Sequence, residues 1–101
     1  MFILNTTTLV DPGIVASWLA WMKDRQIPGI MATGFFERYQ FVRLVDVDES
    51  HGLTFALQLY ATDRAACDHF QSTHEPAFQR ESQRLWGEKS MSFGTLMEVV
   101  H

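Results

Sequence analysis

The chain has 101 residues, of which 47% are hydrophobic and 20% charged, the proportions of one ordinary globular domain rather than a disordered or fibrous chain. Eight basic against twelve acidic residues give a formal net charge of −4, and the basic ones are scattered from Lys23 to Lys89, so no basic patch exists to grip a phosphate backbone. Cys67 is the only cysteine, which excludes an internal disulfide, and no run approaches the roughly 20 apolar residues that span a bilayer. The amino-terminal segment has no basic start followed by an apolar stretch, so it does not read as a signal peptide, and a reducing cytoplasm is the expected location.

Phe2 to Val10 is rich in β-branched residues and predicts a strand. Asp11-Pro12 then opens a helix, with Asp11 as cap and Pro12 where a missing N–H costs nothing. From Pro12 to about Gln26, Ile14, Val15, Trp18, Leu19, Trp21 and Met22 recur at helical spacing on one stripe. Pro28 predicts that this helix kinks or stops at Ile27. A short turn through Ile30, Met31 and Ala32 is expected to end at Gly34.

Phe35 to Val47 predicts a second strand with Phe41, Val42, Leu44, Val45 and Val47 as its apolar body, followed by a polar turn from Asp46 to Gly52. The third strand is the clearest. Leu53, Phe55, Leu57 and Leu59 alternate with Thr54, Ala56, Gln58 and Tyr60, and a hairpin with the second strand is expected. Thr62 or Asp63 caps a helix from Arg64 to about Ser72. Ser72 and Glu75 have capping-box spacing, which predicts a fresh helix carrying Phe78, Leu85 and Trp86 up to Gly87. Met91 to Val100 predicts a fourth strand with Met91, Phe93, Thr95, Met97 and Val99 on one face.

The order β-α-β-β-α-β over residues 1–101 is the ferredoxin-like pattern of the α+β class, a four-stranded antiparallel sheet with both helices on one face. The other face is left open, with Asn5 or Thr7, Gln58, Tyr60 and parts of strands 2 and 4 as its lining. Leaving a half-apolar face in water is costly, and a second copy of the chain is the simplest cover, which predicts a homodimer packed sheet face to sheet face.

"NTTTLVD", "WLAWMKDRQIPGIMATGFF", "VRLV", "LTFALQLYA" and "MSFGTLMEVV" together resemble the family known as domain of unknown function 4286 along nearly the whole chain. The stretch from Trp18 to Phe36 carries most of the specificity. The resemblance implies a dimeric α+β barrel, the fold shared by antibiotic-biosynthesis monooxygenases and haem-degrading monooxygenases, and it implies no assigned activity. Two positions depart from the family pattern: Gln26 stands where a histidine often precedes Ile-Pro, and Ser82 where a histidine often follows the glutamate of the second helix.

Five residues are candidates for lining a small-ligand pocket between helices and sheet. Trp18 and Trp21 offer flat aromatic surfaces, although aromatics at this spacing also simply pack a helix onto a sheet. Asn5 matches, by position alone, an asparagine on strand 1 of the haem-degrading relatives. Arg43 and Tyr60 could supply donors, or serve as a paired charge and a dimer-contact residue. The expected ligand is a small aromatic molecule. No catalytic motif is present, and the alternative reading is a cofactor-independent monooxygenase acting on an aromatic or phenolic substrate.

Haem is not expected, because neither His69 nor His74 has the spacing of an axial ligand. No other cofactor and no metal is expected, because His51, His69, His74 and His101 form no ligating pattern with carboxylates. Cys67 reads as an inert thiol. "HGLTFALQL" loosely echoes an RNA-recognition strand, but His51 and Leu53 replace the basic and aromatic residues that stacking requires, so no nucleic-acid partner is expected.

Overall fold

Strand parity decides which residues meet the helices. In the computed structural model, which describes residues 1–101, strand β1 (Phe2–Val10) matches the expected strand, and strand β3 (Leu53–Ala61) begins at Leu53 as expected. β1 pairs antiparallel with β3, with Leu4 opposite Leu59, Thr6 opposite Leu57 and Thr8 opposite Phe55. These positions face the helices. Asn5 opposite Gln58 and Ile3 opposite Tyr60 face the other way. β2 (Arg38–Arg43) pairs with β3 and β4 (Ser90–Glu98) with β1, giving the order β2-β3-β1-β4. This is the ferredoxin-like sheet expected from the order of elements.

The first helical region runs further than Pro28 predicts. A 3₁₀ turn over Pro12–Ile14 leads into α1 (Val15–Trp21), a π-helical segment over Met22–Gln26, and α2 (Ile27–Ala32). The wider π turn is the physical reason. Its register lets the Ile27 N–H donate to the Met22 carbonyl, and it opens the turn just where the Pro28 ring would otherwise crowd a carbonyl. Continuing the helix buries Ile27 and Ile30 in the core. Gly34 then reverses the chain at φ 82°, a conformation that favours glycine.

β2 is shorter than the expected Phe35–Val47. Phe36 is buried edge-on against Phe70, so it belongs to the core rather than to a strand. Beyond Arg43 the chain turns away through Asp46 at φ 57°, and Val45 and Val47 end up exposed rather than in a strand body. α3 (Arg64–Thr73) is capped by Asp63, whose Oδ1 accepts from the Ala66 N–H at 2.9 Å. α4 (Glu75–Trp86) follows after His74 alone. The expected capping box does not form: Ser72 Oγ donates instead to the His69 carbonyl at 3.1 Å, and α4 begins without a side-chain cap. Pro76 has no N–H to continue the ladder from α3, which sets the break at His74.

The core joins Leu4, Val10, Phe55, Leu57, Leu59 and Ala61 of the sheet to Trp18, Met22, Ile27 and Ile30 of the first helical region and Cys67 and Phe70 of α3. α4 contributes no buried residue at all. That asymmetry leaves a space between α4 and the sheet.

Candidate functional site

A helix lying on a sheet normally presents an apolar stripe to it. α4 instead presents Glu75, Gln79, Ser82 and Gln83, spaced i, i+4, i+7 and i+8, with Phe78 among them. Beneath it, the helix-facing residues of β1 and β4 that reach this space are Thr6, Thr8, Ser90 and Ser92, with Gly94 adding no side chain between them and Leu96. Small hydroxyl side chains below and a polar helix above cannot close into a dry core. A cavity of about 290 Å³ remains between them.

The cavity has two chemically distinct sides. Towards β2 and β3 it is walled by Trp18, Met22, Phe41, Phe55, Leu57 and Phe70. Trp18 is 2% exposed and sits 5.2 Å from Phe55 and 5.8 Å from Phe41 between ring centroids, so this wall is a rigid aromatic cluster. Towards β4 and α4 the lining is mainly hydroxyl and amide, joined by the Glu75 carboxyl and the Phe78 ring. Thr8 Oγ1 and Ser92 Oγ are 2.7 Å apart and share a hydrogen bond across the two strands. Gln26 Nε2 donates to the Phe78 carbonyl at 3.4 Å, tying the π segment to α4.

Glu75 is the only ionisable side chain lining the cavity. Burial pushes its carboxyl above the ordinary carboxylate range, and the one side-chain hydrogen bond it accepts comes from Gln79 Nε2 at 3.2 Å. Gln26 and Ser82 also line the cavity.

The five candidate residues do not converge. Trp18 and Trp21 do line the cavity, Trp21 packing edge-on against Trp86 at 5.8 Å. Asn5 and Tyr60 lie on the opposite face of the sheet, because each pairs in register with residues of that parity. Asn5 Nδ2 donates to Thr7 Oγ1 at 3.0 Å, and Tyr60 Oη donates to Gln58 Oε1 at 3.3 Å. Arg43 ends β2 and pairs with Glu49 at 2.6 Å, outside the cavity lining. The cavity lining also holds Glu75, Gln79, Ser82 and Gln83, none of them among the five candidates. Their helical spacing was the available signal, a polar stripe on a helix that must sit on a sheet.

The histidines take other places. His69 stacks on Phe35 at 4.9 Å and His74 lies 5.3 Å from the same ring. Cys67 is buried, and burial, followed by the nearby Asp68 and Asp63 charges, pushes its thiol up. No three His, Cys, Asp or Glu side chains are grouped as metal ligands.

The open face of the sheet reads row by row. Gln40, Gln58, Asn5 and Thr95 form a complete polar row across the four strands. The rows beside it carry Ile3 and Met97 on one side and Ala56 and Phe93 on the other. On β4, Met91 is 66% and Phe93 64% exposed.

Among curated proteins no sequence is recognisably similar to this chain. Solved structures are similar in fold. An antibiotic biosynthesis monooxygenase superimposes with a TM-score of 0.67 at 16% identity, covering 100% of both chains. A mutant of SnoaB, a cofactor-independent oxygenase from Streptomyces nogalater, gives 0.69 at 18% identity, covering 99% of this chain and 94% of that one. A dimeric ferredoxin-like protein from an uncultured marine organism gives 0.60 at 12% identity, covering 99% and 95%. At these identities the likeness is one of fold. The profile of the family described as domain of unknown function (DUF4286) matches residues 1–100, and the chain belongs to that family.

Proposed function

We propose that this protein is a homodimer that binds a small aromatic ligand in the cavity between α4 and the sheet. One observation carries the reading: a cavity of about 290 Å³ sets a rigid aromatic wall against a hydroxyl and amide wall. Apolar surface supplies affinity in such a site, and a few polar groups fix orientation. A flat ring against Trp18 and Phe55, with its substituents towards Thr8, Ser92 and Ser82, satisfies both sides.

The exposed Met91 and Phe93 beside Ile3, Leu9 and Met97 support the homodimer, because apolar patches of this kind mark contact surfaces. The dimeric state described for the marine ferredoxin-like protein supports it as well. No helix is long and apolar enough to cross a membrane, and a lone buried thiol suits a reducing compartment such as the cytoplasm.

Native mass spectrometry of untagged protein purified in low salt tests the reading. A dimer carrying extra mass, lost on replacing Ser82 and Gln83 by leucine, is the expected result. Uniform monomer, or a ligand-free protein that no aromatic compound shifts, overturns it.

A second reading, a cofactor-independent monooxygenase acting on a phenolic substrate, draws support from the fold shared with SnoaB and from Glu75, a group in the cavity able to accept a proton. Asn5 and Tyr60 have no part in it, since they face away. Oxygen uptake with a polyphenol that survives chelation and is lost in Glu75→Gln supports this reading, and no uptake by the wild-type protein removes it.

A further inference from the structure

We infer that the cavity selects its ligand by charge, taking an aromatic molecule that carries an ammonium or similar cationic group and holding that group at Glu75. This rests on the binding reading above and names the ligand class.

Glu75 stands alone as a charged group in the cavity. No lysine, arginine, histidine or second acid lines the space, on the first helical region, the sheet or α4. His74 precedes it in sequence but is turned into the stack with Phe35 and Phe70. The ion pairs of the chain join Arg43 to Glu49, Arg64 to Asp68 and Arg84 to Glu81, and none reaches Glu75. Its carboxylate is half-buried and has only the neutral Gln79 amide as a side-chain donor. A partly desolvated charge without a counter-charge is costly to the folded chain. A cation brought by a ligand removes that cost.

The rest of the lining fits. Hydroxyls and amides both donate and accept, so Thr8, Ser92, Gln79 and Gln83 do not discriminate between charges. The aromatic wall does, because ring faces attract cations and not anions. Carboxylate and rings therefore act in the same direction, while a carboxylate ligand meets Glu75 with no cation to offset the repulsion. Glu75 also sits in the first turn of α4, where an acid favours the helix. That role is indifferent to which ligand is offered, which separates the two.

Three probes with one ring system isolate the charge: 1-naphthylmethylamine, 1-naphthylmethanol and 1-naphthylacetate, titrated at pH 7 and followed through the indole N–H signals of Trp18 and Trp21 by NMR. The amine is expected to bind about tenfold or more tightly than the alcohol, with the acetate weakest of the three. Glu75→Gln brings the three to within about threefold, Glu75→Asp keeps the order, and Asp68→Asn, on the exposed side of α3 with its Arg64 partner, leaves it unchanged. If all three probes bind the wild-type protein alike, or if the order survives Glu75→Gln, the inference fails while the cavity reading stands. If none binds, both fail.

Discussion

The guanidinium carbon of Arg38 lies 3.7 Å from the centroid of the Tyr60 ring, on the sheet face turned away from the helices. It explains how Tyr60 can be 8% exposed on an otherwise open face. Such a contact contributes about 0.5–1 kcal/mol at an accessible site. Arg38→Ala is expected to lose that much in urea unfolding, with Arg38→Lys recovering part of it. Tyr60→Phe is expected to cost about 0.5 kcal/mol, since the bonds of its hydroxyl to Gln58 and Gln40 are long, at 3.3 and 3.5 Å. An unchanged stability in Arg38→Ala removes the cation–ring contact as a contributor.

Phe93 tests the dimer. It projects from β4 at 64% exposure, beside the polar row formed by Gln40, Gln58, Asn5 and Thr95. Phe93→Asp places a charge where two copies would meet and takes nothing from the core of one copy. The expected outcome is a dimer weakened about thirtyfold or more in sedimentation, with monomer helix content intact. An unaltered dimer would place the contact elsewhere on the surface.

Trp18 and Trp21 are expected to behave differently despite their common stripe. Trp18 is buried among Phe41 and Phe55, and Trp18→Ala is expected to cost about 3–5 kcal/mol in urea unfolding. Trp21 is only half-buried against Trp86, and Trp21→Ala is expected to cost about 1–2 kcal/mol. Equal losses would show that the two rings share one packing role.

Much of this arrangement was legible in the chain. The alternation of Leu53, Phe55, Leu57 and Leu59 fixes the helix-facing side of β3, and it puts Gln58 and Tyr60 on the other side. The same rule already separates Tyr60 from Trp18, so a pocket shared by the two was never compatible with a flat strand. Asn5 was harder to place, because β1 carries apolar residues on both faces near its ends, and only its register opposite Gln58 decides. Pro28 disfavours an ordinary helix without saying whether the chain stops or widens. Burial of Ile27 and Ile30 makes that choice, and burial is a tertiary effect. The cavity was visible only to a reading that asks where polar side chains repeat at helical spacing.

Cys67 is fully buried in α3, and desolvation holds its thiol in the protonated, unreactive form. The native protein at pH 7 is expected to leave a disulfide-exchange reagent unconsumed over minutes, and to react with one equivalent in denaturant. Rapid labelling without denaturant would show that α3 opens readily.

Glu75 closes the link between stability and ligand. Burial raises its folded-state pKa above the ordinary 4.5, so the folded chain holds this proton more tightly than the unfolded chain does. Stability associated with the protonated form is complete below the ordinary value and is lost as pH rises through the raised one. Glu75→Gln mimics the protonated side chain. It is therefore expected to melt above the wild-type protein at pH 7 and level with it near pH 3.5, measured by calorimetry at both pH values without ligand. A lower melting point for the variant at pH 7 would mean that the charge at the start of α4 outweighs desolvation. Adding 1-naphthylmethylamine at pH 7 is expected to narrow or reverse the gap, because a ligand that binds only the folded chain stabilises the protein it binds more tightly. An equal rise in both proteins would leave the desolvation argument intact and remove Glu75 from ligand recognition.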